Sequence, residues 1–244
     1  MKKIALILLS LTLYYNVFAG AEEPDVNASV EDQIWVEWDS PEGLSRLQTS
    51  KAKENFWKLL RFYESQIRLT YCSVATSVIT LNALSVEAPP SKFLGKYRTF
   101  TQEEFFSEEV CAVVNQNDVV NRGMPLEELA AVLKIFPVQV FKYEAQSLSH
   151  EEIRDLFISA LKNPNQYLLA LYQRKNLQQE GGGHWSPIAA YDAESDSFLI
   201  LDVARFKFPP VWVNASAFIN SMQTANKYGQ SRGFIILEKG NEAP

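Results

Sequence analysis

Cysteine is scarce in this chain: among 244 residues there are two, Cys72 and Cys111. Two thiols cannot build the multiply bridged framework of a small disulfide-rich protein, nor the four-sulfur set of a structural zinc site. Histidine is equally rare, with only His150 and His184. The chain lacks any dense block of Lys and Arg and carries a net charge of −6, so the electrostatic footprint of a nucleic-acid binder is missing. Beyond the N-terminus no apolar run reaches the roughly 20 residues needed to cross a bilayer. Internal repeats and low-complexity linkers are absent too. With a hydrophobic share of 47%, ordinary for a packed core, the economical reading is one globular domain.

What is present begins with an export signal. Lys2 and Lys3 precede an apolar run from Ile4 to Leu13, and Val17-Phe18-Ala19-Gly20-Ala21 offers small residues for cleavage after Ala19 or Ala21. This predicts a signal peptide over residues 1–21 and an exported protein, periplasmic in a bacterium, with no membrane attachment after cleavage. An extended acidic arm is expected over residues 22–39, one folded domain over 40–238 and a short tail over 239–244.

The period of the apolar residues changes along the domain. From Ser40 to Ala88 it is helical, with Pro41 and Glu42 suited to a first turn and Trp57, Leu60, Phe62 and Tyr63 expected on one buried face. A second helix is expected from about Cys72 to Leu84. Thr101 is a candidate N-cap, Met124-Pro125 opens a run through Leu133, and Ser149 should cap a helix from Glu151 to Leu161. Val138 to Tyr143 alternates like a strand. Further strands are expected over Tyr167–Tyr172, Ser186–Tyr191, Phe198–Val203 and Gly233–Leu237, which are rich in β-branched and aromatic residues. Helices first and antiparallel strands afterwards predict the α+β class.

Three residues stand out chemically. Cys72 falls at the start of an apolar helix, where free N–H groups and the helix dipole stabilise a thiolate. His184 follows Gly181-Gly182-Gly183 and precedes a strand; glycines there allow close backbone approach to a substrate. Asp202 ends the apolar run Phe198-Leu199-Ile200-Leu201, and a carboxylate buried there needs a partner, for which His184 on the neighbouring strand is the natural choice. Gln66, six residues before the cysteine, could add its amide N–H to that of Cys72 as an oxyanion site. A Cys–His–Asp set of this order serves thiol acyl transfer. The plainer alternative is a structural Cys72–Cys111 disulfide in a non-enzymatic exported protein, with Gln66 an exposed helix end and His150 merely solvated.

The residues around these three resemble the phytochelatin synthases, in particular their short bacterial members. Thr70-Tyr71-Cys72-Ser73-Val74-Ala75-Thr76 with Leu81-Asn82-Ala83-Leu84 is similar to the family's nucleophile helix, and Gly183-His184-Trp185-Ser186-Pro187 to its histidine motif. The long segment from Ile200 to Val213 is similar throughout to the aspartate motif, and Arg232-Gly233-Phe234 to the closing strand. The resemblance runs from about Ser40 to Leu237.

It implies a papain-like fold in which Cys72 attacks the Cys–Gly bond of glutathione, with His184 as base and Asp202 orienting it. Water, or a second glutathione, then takes the γ-glutamylcysteinyl group. The resemblance also gives Gln66 its oxyanion role, and places Gly183, Arg205, Lys207 and Arg232 near the substrate, with Arg232 on the γ-glutamyl end. It implies a homodimer, no resident cofactor and no metal-ligand residues, cadmium or zinc entering as glutathione thiolates or as activators. Departures are Ser73 in place of a usual glycine, Leu171 in place of a small polar residue, and the lack of a cysteine-rich second half. With Cys111 the only other thiol, glutathione hydrolysis is expected to dominate over polymerisation. A papain-like peptidase acting on other peptides is the alternative within the same chemistry.

Overall fold

The computed structural model describes residues 34–240. The expected signal over 1–21, the arm up to residue 33 and tail residues 241–244 lie outside the described residues.

Within that span the strands are β1 (Trp35–Glu37), β2 (Val138–Glu144), β3 (Gln166–Gln173), β4 (Gly183–Asp192), β5 (Ser197–Ile200), β6 (Val211–Asn214) and β7 (Gly233–Lys239). They form one antiparallel sheet in the order β1-β6-β5-β4-β3-β7-β2. The helices are α1 (Pro41–Thr49), α2 (Phe56–Phe62), α3 (Cys72–Ala83), α4 (Glu108–Val113), α5 (Gln116–Arg122), α6 (Leu126–Leu133), α7 (His150–Lys162) and α8 (Ala215–Met222). The expected α+β class is what the chain adopts.

Alternation along β3 divides the core in two. Tyr167, Leu169 and Leu171 pack with α3 and its neighbouring helices, whereas Leu168, Ala170 and Tyr172 pack with α7 and α8. Neither face of the central strands meets water, so β3, β4 and β5 read as nearly continuous apolar runs instead of alternating ones. In α3 every residue except Asn82 is buried, as suits a helix without a polar face. Its hydroxyls are accommodated internally: Ser77 donates to the Ser73 carbonyl at 2.8 Å and Thr80 to that of Thr76 at 2.7 Å.

Several expected boundaries recur. Ser40 caps α1 by accepting from the Gly43 N–H, α6 starts directly after Pro125, and Ser149 with Glu152 forms a capping box at α7. Other expectations need correction. Trp57 is 68% exposed; α2 turns Phe56 and Leu59 inward, and the residue beside Phe56 is carried about 100° round the helix, away from the core. Thr101 accepts from the Glu104 N–H at 3.3 Å but caps only a turn, and the next helix begins after Ser107. Part of the expected arm, β1, pairs with β6 at the sheet edge. Neither β6 nor α8 was expected as an element. The strand expected through Val203 stops at Ile200, because Asp202 turns its carboxylate back onto the Ala204 N–H at 2.8 Å.

Candidate active site

Cys72 is the first residue of α3, and the preceding Tyr71 provides no side-chain cap. The N–H groups of the first turn are therefore left for other acceptors, and the Ser73 N–H, together with that of Trp185, points at the sulfur. Trp185 is itself pinned by its indole N–H, which donates to the Met124 carbonyl at 2.9 Å. The loop that opens α6 thus fixes the strand that faces Cys72.

His184 is the second residue of β4, opposite Tyr172 of β3 in the register. The Tyr172 ring meets its imidazole edge-on at 5.7 Å between centroids. Its Nε2 lies 2.9 Å from Oδ1 of Asp202, which leaves Nδ1 for the hydrogen bond with Cys72. The β4–β5 hairpin brings the two together as expected, with Asp202 two residues past the end of β5 and fully buried.

The three groups tune one another. Burial pushes the Cys72 thiol up, but the hydrogen bond and charge of His184 and the two backbone N–H groups outweigh it, so the thiol ionises below its ordinary value. Burial disfavours the imidazolium of His184, yet the Asp202 charge and its hydrogen bond, with help from the sulfur, hold it above the ordinary imidazole value. Desolvation likewise works against the Asp202 carboxylate. His184, Arg174 and the Ala204 N–H overcome that, and it ionises below the usual range. All three directions favour thiolate, imidazolium and carboxylate side by side.

A cavity of about 580 Å³ opens at the sulfur. Leu171, Gly183 and Trp185 line it from the sheet, Met124 from the loop before α6, and Tyr228 and Arg232 from the segment ahead of β7. Arg232 is buried, donates to Thr224 at 2.9 Å and to the Ala225 carbonyl at 2.6 Å, and its guanidinium has no ion pair among the described residues. A Cβ added at Gly183 would stand 3.3 Å from Nε of Arg232, so the missing carbon makes room for that side chain.

Gln66 is buried rather than an exposed helix end, and its backbone N–H donates to the Val203 carbonyl at 2.8 Å. One proton of its side-chain amide goes to the Arg68 carbonyl at 2.7 Å, leaving the second N–H of that group free to donate. Arg205 and Lys207 are not brought into the cavity. The chain turns back at Ala204, which accepts from the Lys207 and Phe208 N–H groups; Arg205 then lies over the Tyr63 ring at 4.8 Å and Lys207 lies 3.5 Å from Glu180. Of the sequence departures, Leu171 sits on the cavity wall, and the Ser73 hydroxyl is buried without a hydrogen-bond partner. Cys72 and Cys111 are both free, and Cys111 is exposed on α4, so the structure holds no bridge between them. His150 is half-buried and contacts Asn220 at 3.1 Å.

A family model described as phytochelatin synthase matches residues 27–234. The chain belongs to the phytochelatin synthase family. Among curated proteins it is 32% identical over 213 residues to glutathione gamma-glutamylcysteinyltransferase 3 of Lotus japonicus, covering 86% of this chain and 43% of that one. It is 30% identical over 186 residues to glutathione gamma-glutamylcysteinyltransferase of Schizosaccharomyces pombe, covering 76% of this chain and 44% of that one. The chain therefore spans less than half the length of these relatives. Among solved structures, a prointerpain A fragment from Prevotella intermedia aligns with a TM-score of 0.41 and 10% identity, over 81% of this chain and 75% of that one.

Sequence reasoning missed two residues of this phytochelatin synthase-family site. Arg174, buried just after β3, places Nη2 2.8 Å from Oδ1 and 2.7 Å from Oδ2 of Asp202. Tyr63 donates its hydroxyl to the Asp202 backbone carbonyl. Nothing in the local sequence signals either contact, since each is made across the fold.

Proposed function

We propose that the chain is a glutathione gamma-glutamylcysteinyltransferase-like enzyme of papain-like mechanism that removes glycine from glutathione, mainly by hydrolysis. The observation that carries this reading is the Cys72 sulfur, bonded to His184, which is bonded in turn to Asp202 at 2.9 Å, at the mouth of a cavity holding a cation without an acid partner. The names of the curated relatives supply the substrate. A volume near 580 Å³ suits a tripeptide, and Arg232 is placed to meet a carboxylate of its γ-glutamyl end.

In this mechanism the Cys72 thiolate attacks the carbonyl carbon of the cysteinyl residue. The resulting oxyanion is held by the Cys72 N–H at the start of α3 and by the free amide N–H of Gln66. As the C–N bond breaks, the His184 imidazolium gives its proton to the departing glycine amine, leaving an S-γ-glutamylcysteinyl thioester. Neutral His184 then takes a proton from water, hydroxide attacks the thioester, and γ-glutamylcysteine leaves while the thiolate and imidazolium are restored. Transfer to the thiol-bearing substrate's amino group in place of water would extend the product by one unit, as the minor route. That preference rests on the resemblance to the short bacterial members of the family. Cadmium or zinc takes part either as a glutathione thiolate, that is, as substrate, or as an activator.

The N-terminal Lys2-Lys3 and Ile4–Leu13 pattern supports export to a periplasm, and the family resemblance supports a homodimer. Glycine release from glutathione, measured with and without cadmium or zinc, tests the substrate. Cleavage of longer peptides with no glycine from glutathione would replace this reading with that of a general peptidase.

A further inference from the structure

Behind the triad lies a second ion pair that the reaction scheme does not use. Arg174 begins the 3-10 turn Arg174–Leu177 that leaves β3, where a polar Gln173-Arg174-Lys175 sequence would ordinarily face solvent, yet it is only 3% exposed. Its Nη2 bridges both carboxylate oxygens of Asp202, at 2.8 and 2.7 Å, and Nη1 donates to Oε1 of Gln179 at 2.7 Å. The guanidinium plane is backed by Phe208 at 4.8 Å. Gly181, with φ of +128°, leaves the room this arm occupies: a Cβ there would come 2.9 Å from Cδ of Arg174. The geometry therefore over-determines the arginine from three sides.

We propose that Arg174 is a positioning residue that acts through Asp202: it fixes the carboxylate toward His184 and supplies the fourth charge that leaves the buried cluster neutral when the sulfur ionises. With Cys72 and Asp202 each negative and His184 and Arg174 each positive, the ionised cluster sums to zero. Without the arginine the Cys72–His184–Asp202 set would carry one net negative charge, at its inner end on the fully buried Asp202, where such a charge is costly. The other titratable groups facing Asp202 cannot substitute. Tyr63, on its backbone carbonyl, and Tyr172, whose hydroxyl is 3.4 Å from Oδ2, are both driven above the ordinary phenol value, first by burial and then by the Asp202 charge, and stay neutral. Arg205 is stacked over the Tyr63 ring, and Lys207 lies 3.5 Å from Glu180.

The inference rests on Cys72 being the nucleophile, but not on which substrate it attacks, and the test is chosen accordingly. Alkylation of Cys72 by iodoacetamide is followed against pH by mass spectrometry of its peptide, in full-length protein carrying Cys111→Ser. Arg174→Met is expected to move the alkylation curve to higher pH, by less than the roughly one to three units an arginine exerts on an acid it touches, because Arg174 reaches the sulfur through Asp202 and His184. Arg174→Lys, which keeps the cation, should leave the curve near that of the parent while slowing acyl transfer. A residue that merely filled space would change folded yield and leave the curve where it was. An unmoved curve in Arg174→Met overturns the proposal; should that variant not fold, Arg174→Gln, neutral but able to hydrogen-bond, is read by the same two outcomes. Failure to release glycine from glutathione with the curve shifted would reject the substrate and leave the role of Arg174 standing.

Discussion

Gln66 and Val203 are joined by a backbone hydrogen bond of 2.8 Å, so the loop leading to Cys72 is laced to the residue that follows Asp202. Two segments of the site that are far apart in the chain are thereby held by one contact, and Gln66 is anchored on a fixed backbone six residues before Cys72.

If the free amide N–H of Gln66 meets the developing oxyanion, Gln66→Ala should lower kcat by about 100- to 1,000-fold while KM changes little, the usual cost of one oxyanion donor. Steady-state glycine release separates the two constants. A rise in KM with kcat unchanged would assign Gln66 to ground-state binding instead.

Removing the sulfur should end covalent chemistry without unfolding the chain. Cys72→Ala deletes one atom from a helix that is otherwise packed on all sides, at a stability cost of about 1 kcal/mol. Circular dichroism should be unchanged, and the acylated species seen by mass spectrometry in the parent should be absent. An acyl adduct on the variant would place the nucleophile elsewhere.

The pH dependence follows from the directions of the three shifts. Cys72 ionises below its ordinary value, so thiol alkylation should rise at lower pH than for a free cysteine and then stay high. Acyl transfer also needs the imidazolium as acid, so it should fall again as pH rises through the elevated His184 value, giving a bell. Asp202 has its folded value depressed: the stability it contributes is present above the unfolded carboxyl range and is lost as pH falls through the folded value. Asp202→Asn should slow acyl transfer by on the order of 100- to 10,000-fold and remove that acid-side dependence from thermal melts.

Arg232 can be tested with the substrate as partner. Arg232→Met should raise KM about 10- to 100-fold, the worth of a charged hydrogen bond, with a smaller change in kcat. A glutathione analogue lacking the γ-glutamyl α-carboxylate should bind parent and variant alike; a penalty that persists with the analogue would argue against this pairing.

Much of the site could be read from the chain because its chemistry is carried by residue type and local setting. A cysteine at a helix start, a histidine after three glycines and an aspartate closing an apolar run are each unusual alone, and α7 was legible because Ser149 and Glu152 satisfy each other's neighbours within one turn. Arg174 was not legible: its burial is decided by Asp202, 28 residues away, and its own neighbours are polar. Trp57 misled because apolar spacing in a seven-residue helix fits more than one face, and packing against α3 and β4 decides which is inward. The missed α8 did leave a trace, since Asn214 accepts from the Ala217 N–H ahead of Phe218, Ile219 and Met222, a cap and an apolar stripe hidden behind the aspartate motif.

The sulfur belongs to a helical layer, while its imidazole partner belongs to the sheet beneath it. Their hydrogen bond therefore spans the seam between two slabs of the molecule and works as a gauge of how tightly they are docked. Loosening of that seam separates nucleophile from base before any helix or strand has melted. On gradual heating, inactivation should accordingly run ahead of the loss of helical signal.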